Sequence, residues 1–304
     1  MTPLHQLIDL ARSQDMAWDA GQEPLTAELL RPVLPGLVDT LGRLRLQTDA
    51  WIAQSAAPPS YPIGFCAVIR DRVFDGLLGD PLVQSLLADG LVLKKVFVIL
   101  KDRYFQNAIQ FGNLYIDVAN DTVDPSKPWL EWMDVRSVPF ENVGELPTLI
   151  RVAESYHRCR AFPNVFFPLL APVVPLLSIA EDGRLGLLHF QDGGFLKDLA
   201  GGLPQLHAWL AGPARDLPSL PPAYATRLQR ACGANDFTAF PFEYRPSSFA
   251  DIVAQADDYA AAFADPNRHD AILGVLDLVP AAARALRSME IRCGGPPPHA
   301  GTAR

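Results

Sequence analysis

The sequence predicts an α+β fold: a small, mostly antiparallel sheet with packed helices, set between helical N- and C-terminal regions. Three observations point there. Residues 91–100 (LVLKKVFVIL) are rich in β-branched and apolar side chains, the composition of a buried strand. Gly112-Asn113 is a turn signal between two short runs, the mark of a hairpin. Apolar side chains recur at helical spacing before and after this region, with Val68, Ile69, Val73, Leu77 and Leu78 spaced for one buried stripe. The chain has 304 residues, 49% hydrophobic and 20% charged, long enough to close a core and too apolar for a disordered polymer.

Taken in order, residues 1–54 read as helices. Thr26 stands where a cap would open a helix over 24–30, Pro32 to Pro35 break it, and Leu37, Leu41 and Leu44 mark the next one. Residues 55–62 (SAAPPSYP) form a proline-rich joint. Residues 64–87 are helical, split at Gly79-Asp80-Pro81, with Asp80 as cap and Pro81 at the first position of the second piece. Strands are expected at 91–100, 104–111 and 114–118. Residues 120–139 read as a loop anchored by Trp129 and Trp132, and 145–160 as an amphipathic helix.

Residues 165–180 (VFFPLLAPVVPLLSIA) are the most apolar stretch. They are shorter than the roughly 20 residues of a membrane span, and Pro168, Pro172 and Pro175 forbid a regular helix. An extended or broken core segment is expected there. A strand at 183–190 and a short helix at 193–202 follow. Residues 203–246 are rich in proline and glycine, with little periodicity. Helices at 249–263 and 270–289 close the chain, capped by Ser247 or Ser248 and by Asn267. The expected organisation is an N-terminal helical segment (1–58), a central α+β unit (59–190), a mainly helical region (191–293) and a disordered tail (294–304).

A net charge of −8 argues against a nucleic-acid partner, which wants a basic face. A protein or peptide partner fits the composition better, and no integral membrane association is expected. The start, MTPLHQLIDLARSQD, lacks the apolar core of a secretory signal, so a cytoplasmic location with reduced thiols is expected. Arginine (21) far outnumbers lysine (5), the bias of GC-rich bacterial coding. Cys66, Cys159, Cys232 and Cys293 form no CxxC pair, and no phosphate-loop or dinucleotide fingerprint occurs, so no cofactor is expected.

Cys66 follows Tyr61-Pro-Ile-Gly-Phe65 at the start of an expected helix. Free N–H groups and the helix dipole at such a place favour a thiolate and can serve an oxyanion. Taken alone, a free cysteine is more often a small buried hydrophobe. The order that follows adds meaning: a strand, then the hairpin from Asn107 to Asp117. This resembles the transglutaminase-like and papain-like cysteine superfamily over about residues 60–123. Members place a cysteine at a helix start, a histidine at the head of a strand and an acid one strand later. The matching positions are Cys66, Asn107 and Asp117, with Tyr115-Ile-Asp117 as the aromatic-x-acid end. Asn107 stands where the histidine belongs, and an amide cannot take the thiol proton.

The resemblance therefore implies an accessory or binding protein on a catalytically degenerate cysteine-hydrolase-like fold. A cysteine-dependent acyl transferase or amide hydrolase, with Cys66 as nucleophile and Asp117 as orienting acid, is the alternative. A second alternative is a metal-dependent enzyme. Glu154 and His157 sit three apart on one helical face, and His189 precedes Asp192-Gly193-Gly194. The commoner readings of those two patterns are a solvated helix face and a turn. Asp117, Asp121 and Asp124 also cluster beside the hairpin, where a solvated turn outweighs a cation or basic-peptide site.

Overall fold

The structure, a computed structural model, describes residues 2–55, 60–188, 194–233 and 240–288. Cys293, His189, Asp192, Gly193 and the expected tail at 294–304 lie outside the described residues. The fold is α+β. Contacts divide it into two units, Ser13–Val143 and Met1–Arg12 with Gly144–Arg304. The divisions fall after 12 and 143, not at the expected 58 and 190. The proline-rich joint misleads because both sides of it share one core. Leu37, Leu41 and Leu44 before it and Ile69, Val73 and Leu77 after it are buried in the same cluster.

Helix α1 (Pro3–Ser13) precedes the first unit's own elements. There, α2 (Gln22–Leu25) runs through a π-type turn (Thr26–Leu30) into α3 (Arg31–Gln54). The expected break at Pro32 to Pro35 is absent. The helical run continues through both prolines, and a π-type turn directly before them loosens the backbone ladder where their missing N–H groups cannot bond. Nor does Thr26 cap a helix: its buried hydroxyl accepts the Asn113 N–H at 2.9 Å. Helices α4 (Cys66–Leu78) and α5 (Pro81–Ala88) split where expected, and Asp80 caps α5 by accepting the Leu82 N–H at 3.0 Å.

The sheet is antiparallel, in the order β4-β3-β2-β1-β5. Its strands are β1 (Leu93–Leu100), β2 (Tyr104–Phe111), β3 (Leu114–Asp117), β4 (Glu131–Asp134) and β5 (Phe140–Asn142). The turn between β2 and β3 needs Gly112: its φ is +54°, and a Cβ there would lie 2.3 Å from the Thr26 hydroxyl. β4 lies inside the expected loop, and Trp132 on it is exposed, so only Trp129 packs against the core. Side chains alternate across the sheet. Ile109, Phe111, Leu114, Ile116 and Val118 meet α3 and α4, while Val96, Val98, Leu100, Ala108 and Tyr115 pack with Met16, Val135 and Val138 on the other face.

In the second unit, α6 (Leu146–Tyr156) ends early and β6 (Cys159–Pro163) begins within the expected helix. The chain turns at Arg158, whose φ is +47°. β6, β7 (Leu176–Ala180) and β8 (Leu185–Leu187) form a second antiparallel sheet. Phe166, Phe167, Leu170 and Val174 are buried in the apolar stretch before β7, as expected of a broken core segment. Helix α7 (Gly194–Leu199) follows. The region expected to lack periodicity holds α8 (Pro204–Ala211), α9 (Pro213–Asp216) and α10 (Pro222–Gly233). Its prolines open helices rather than break them.

Helix α11 (Phe249–Ala264) carries the expected cap at Ser248, closed into a box by Asp251. Before α12 (His269–Ser288) it is Asp265, not Asn267, that caps the preceding turn. Among the described residues, no helix is long and apolar enough to cross a membrane.

Candidate functional site

Cys66 is the first residue of α4. Ile69, Val73 and Leu77 bury one face of that helix against the sheet, and Cys66, three residues before Ile69, shares the face. The approach is fixed from behind. Gly64 takes a φ of +81°, open to glycine, and its N–H reaches the Thr122 carbonyl at 3.3 Å. The Tyr61 hydroxyl donates to Asp49. Arg45, almost wholly buried, holds Asp49 at 2.7 Å, both oxygens of Asp121 at 2.9 and 2.8 Å, and the Val118 carbonyl at 2.8 Å. Burial and the Asp49 contact push the Tyr61 hydroxyl up to about 12.

The result is the expected meeting. The Asn107 side-chain amide donates to the Cys66 sulfur at 3.3 Å, both groups being half-buried. Phe97, opposite Asn107 in register, stacks on Phe105 at 5.5 Å between ring centres.

Asp117 does not join them. Phe111 pairs with Leu114 and Ile109 with Ile116, so Asp117 falls opposite Ala108 rather than opposite Asn107. Successive residues of a strand point to opposite faces, which places Asp117 on the side away from α4. Its partners belong to that side. Gln106, the residue before Asn107, donates its amide at 2.5 Å, and the Tyr115 hydroxyl lies at 3.5 Å. The Ala119 N–H donates at 2.8 Å. Burial pushes the Asp117 carboxyl up to about 7, with the Ala119 N–H opposing and Glu131 across the β3–β4 ladder assisting. The expected trio of Cys66, Asn107 and Asp117 is thus a pair and a separate buried acid. A two-residue turn at Gly112-Asn113 already implies that offset, so hairpin register was the signal to use.

A second shortfall is chemical. Residues 13–143 contain no histidine, so this unit supplies no imidazole base of its own. The two other acids clustered beside the hairpin are engaged elsewhere. Asp121 pairs with Arg45, and Asp124 accepts the Ser126 N–H and hydroxyl at 3.0 and 2.8 Å. That is a local turn, as expected.

The metal pattern fares similarly. Glu154 accepts the Ala161 N–H at 2.9 Å and so pins α6 to β6. His157 caps the end of α6 with its ring edge against Tyr156, and burial lowers its pKa. Among the described residues, no group of three histidine, cysteine or acidic side chains is placed to hold a metal ion. Sequence reasoning missed the Arg45 network and a set of amides, the buried Gln106, Gln110 and Asn113 and the exposed Asn142, which carry no periodic signal. Comparisons with family models, curated proteins and solved structures find no match to this chain.

Proposed function

We propose that this chain is a binding or accessory protein built on a cysteine-hydrolase-like arrangement that lacks its base. The observation that carries this reading is the Asn107 amide on the Cys66 sulfur at 3.3 Å, where a hydrolase needs an imidazole. A helix terminus alone contributes about 0.3–1 kcal/mol to holding an anion, too little to replace a general base. Exposed apolar side chains lie near this site in sequence, Ile63 and Val68 on either side of Cys66, and a partner would use them. Trp51 is exposed too, under the Arg72 guanidinium at 3.8 Å.

The acyl-transfer reading keeps one feature: a half-exposed sulfur at a helix start beside an amide donor. It needs a base from outside residues 13–143 and an orienting acid other than Asp117.

Iodoacetamide labelling across pH 6–9, read by mass spectrometry, tests the choice. Burial pushes Cys159 and Cys232 up to about 11, so both are slow internal references, and a small free thiol is the fair standard. The binding reading expects Cys66 to label no faster than that thiol. Rapid labelling at pH 6 replaces it with the enzyme.

A further inference from the structure

The segment after α1 has no regular secondary structure at residues 16–19, yet its backbone is held as a strand would be. The Met16 N–H donates to the Asn142 side chain at 2.8 Å, and the Met16 carbonyl accepts from the same amide at 3.0 Å. Ala17 does the same with Gln110, at 3.2 and 2.7 Å. Asp19 does so with Asn113, at 2.9 and 2.8 Å. A residue whose own N–H and C=O reach one partner is extended, as in a hydrogen-bonded antiparallel pair. Met16 and Ala17 reach different partners, as neighbours along a strand do. Just before them, the Gln14 carbonyl accepts the Phe97 N–H at 3.2 Å, and the Asp15 carbonyl accepts the Lys94 ammonium at 2.6 Å.

Side chains add a second layer. Met16 is buried among Val96, Val98, Ala108 and Tyr115. Trp18 lies under the Arg136 guanidinium at 3.7 Å. The segment carries Asp15 and Asp19, and the surface that holds it offers Lys94 and Arg136. Side-chain amides that grip both polar groups of a residue read an extended backbone whatever its sequence. The apolar pocket and the cationic shelf then select side chains. The fit is imperfect at its start, where the Gln14 side-chain oxygen is buried without a hydrogen-bond partner.

We propose that this face of the sheet is a receptor for an extended acidic peptide with an apolar residue followed, two positions later, by an aromatic one, and that residues 14–19 fill it in cis as a displaceable stand-in. The proposal does not rest on the Cys66 reading, since the groove lies on the opposite face of the sheet. A tethered segment competes at an effective concentration of roughly millimolar, so a partner binds well only once the segment is weakened or displaced.

The test uses the full chain and a fluorescein-labelled peptide with the sequence of residues 13–20. A Met16→Ser, Trp18→Ala double variant, shown folded by circular dichroism, is expected to bind it saturably and at least tenfold more tightly than the unaltered chain. Adding Gln110→Ala and Asn142→Ala is expected to remove that binding. A folded double variant that does not bind, or binding indifferent to the two amides, overturns the proposal. A concentration-dependent dimer of the double variant overturns the separate partner in favour of exchange between copies.

Should the double variant not fold, hydrogen exchange on the unaltered chain decides. The amides of Met16, Ala17 and Asp19 are expected to exchange at least a hundredfold faster than those of Val98 and Ile109, as for a segment that opens locally. Equal protection makes the segment a permanent part of the fold and overturns the proposal.

Discussion

The two faces of the five-stranded sheet are closed by different physics. Helices α3 and α4 close one, and it is apolar: Ile109, Phe111, Leu114, Ile116 and Val118 lie under them, with Cys66 and Asn107 as a polar pair at the rim. The irregular segment around Met16 helps close the other, which carries Gln106, Gln110, Tyr115 and Asp117. Helices satisfy their own backbone groups and need only an apolar floor. An irregular segment brings bare N–H and C=O groups that must find partners. Buried amides on that face follow from what covers it. Asp117 belongs with them, bonded to Gln106 and the Ala119 N–H on that face.

The sharpest contrast is in stability. Phe111→Ala, on the helix-covered face, is expected to cost about 3–5 kcal/mol, because a fully buried aromatic leaves a cavity in packed surroundings. Gln110→Ala on the other face is expected to cost about 1–3 kcal/mol, since it strips hydrogen bonds from an Ala17 that water can reach. Chemical denaturation of both variants checks this. Equal losses would sink the contrast.

Asp117 gives the second-largest effect, and it depends on pH. Its folded pKa of about 7 lies above the ordinary 3.8. Between roughly pH 4 and 7 the folded chain therefore binds more protons than the unfolded one, and stability falls as pH rises through that window. Below it both states are protonated and the penalty vanishes; above it the penalty is complete. At 1.36 kcal/mol per pKa unit, that penalty is at most about 4 kcal/mol. Asp117→Asn should flatten the slope and leave the variant more stable than the parent at pH 8. A slope unchanged by the substitution would mean another group sets it.

These contrasts also show what could be read in advance. β2 runs from Tyr104 to Phe111 as expected, and α4 opens at Cys66, because strand composition, a glycine turn and a proline-glycine approach are local signals. The segment around Met16 was invisible. Its strand-like hydrogen bonding comes from amides about 93 to 126 residues away, and no pattern within the segment announces them. β4 hid inside a loop for the same reason: four residues of Glu-Trp-Met-Asp pair with β3 by position rather than by composition. The Cys66 and Asn107 pair was legible, and the Asp117 error came from matching residue types without counting register.

A smaller effect is expected at Cys66 itself. Cys66→Ala removes a half-buried sulfur and one weak hydrogen bond, and should cost about 1 kcal/mol. A loss above about 3 kcal/mol would mark it as a core residue first and a site residue second.

The finest test asks whether the two faces communicate. Asn107→His places an imidazole where the amide now meets the sulfur, so a base stands within reach of the thiol. Cys66 should then label at least tenfold faster at pH 7 than in the parent. Asp117→Asn should change that rate by less than twofold, in the parent and in Asn107→His alike, because the carboxyl lies across the sheet with Gln106, Tyr115 and the Ala119 N–H as its partners. In a working triad, loss of the orienting acid cripples the base through tautomer and alignment. A large drop in Cys66 labelling on removing Asp117 would therefore show that the sheet couples its faces after all. The acid would then return to the site that strand register denies it.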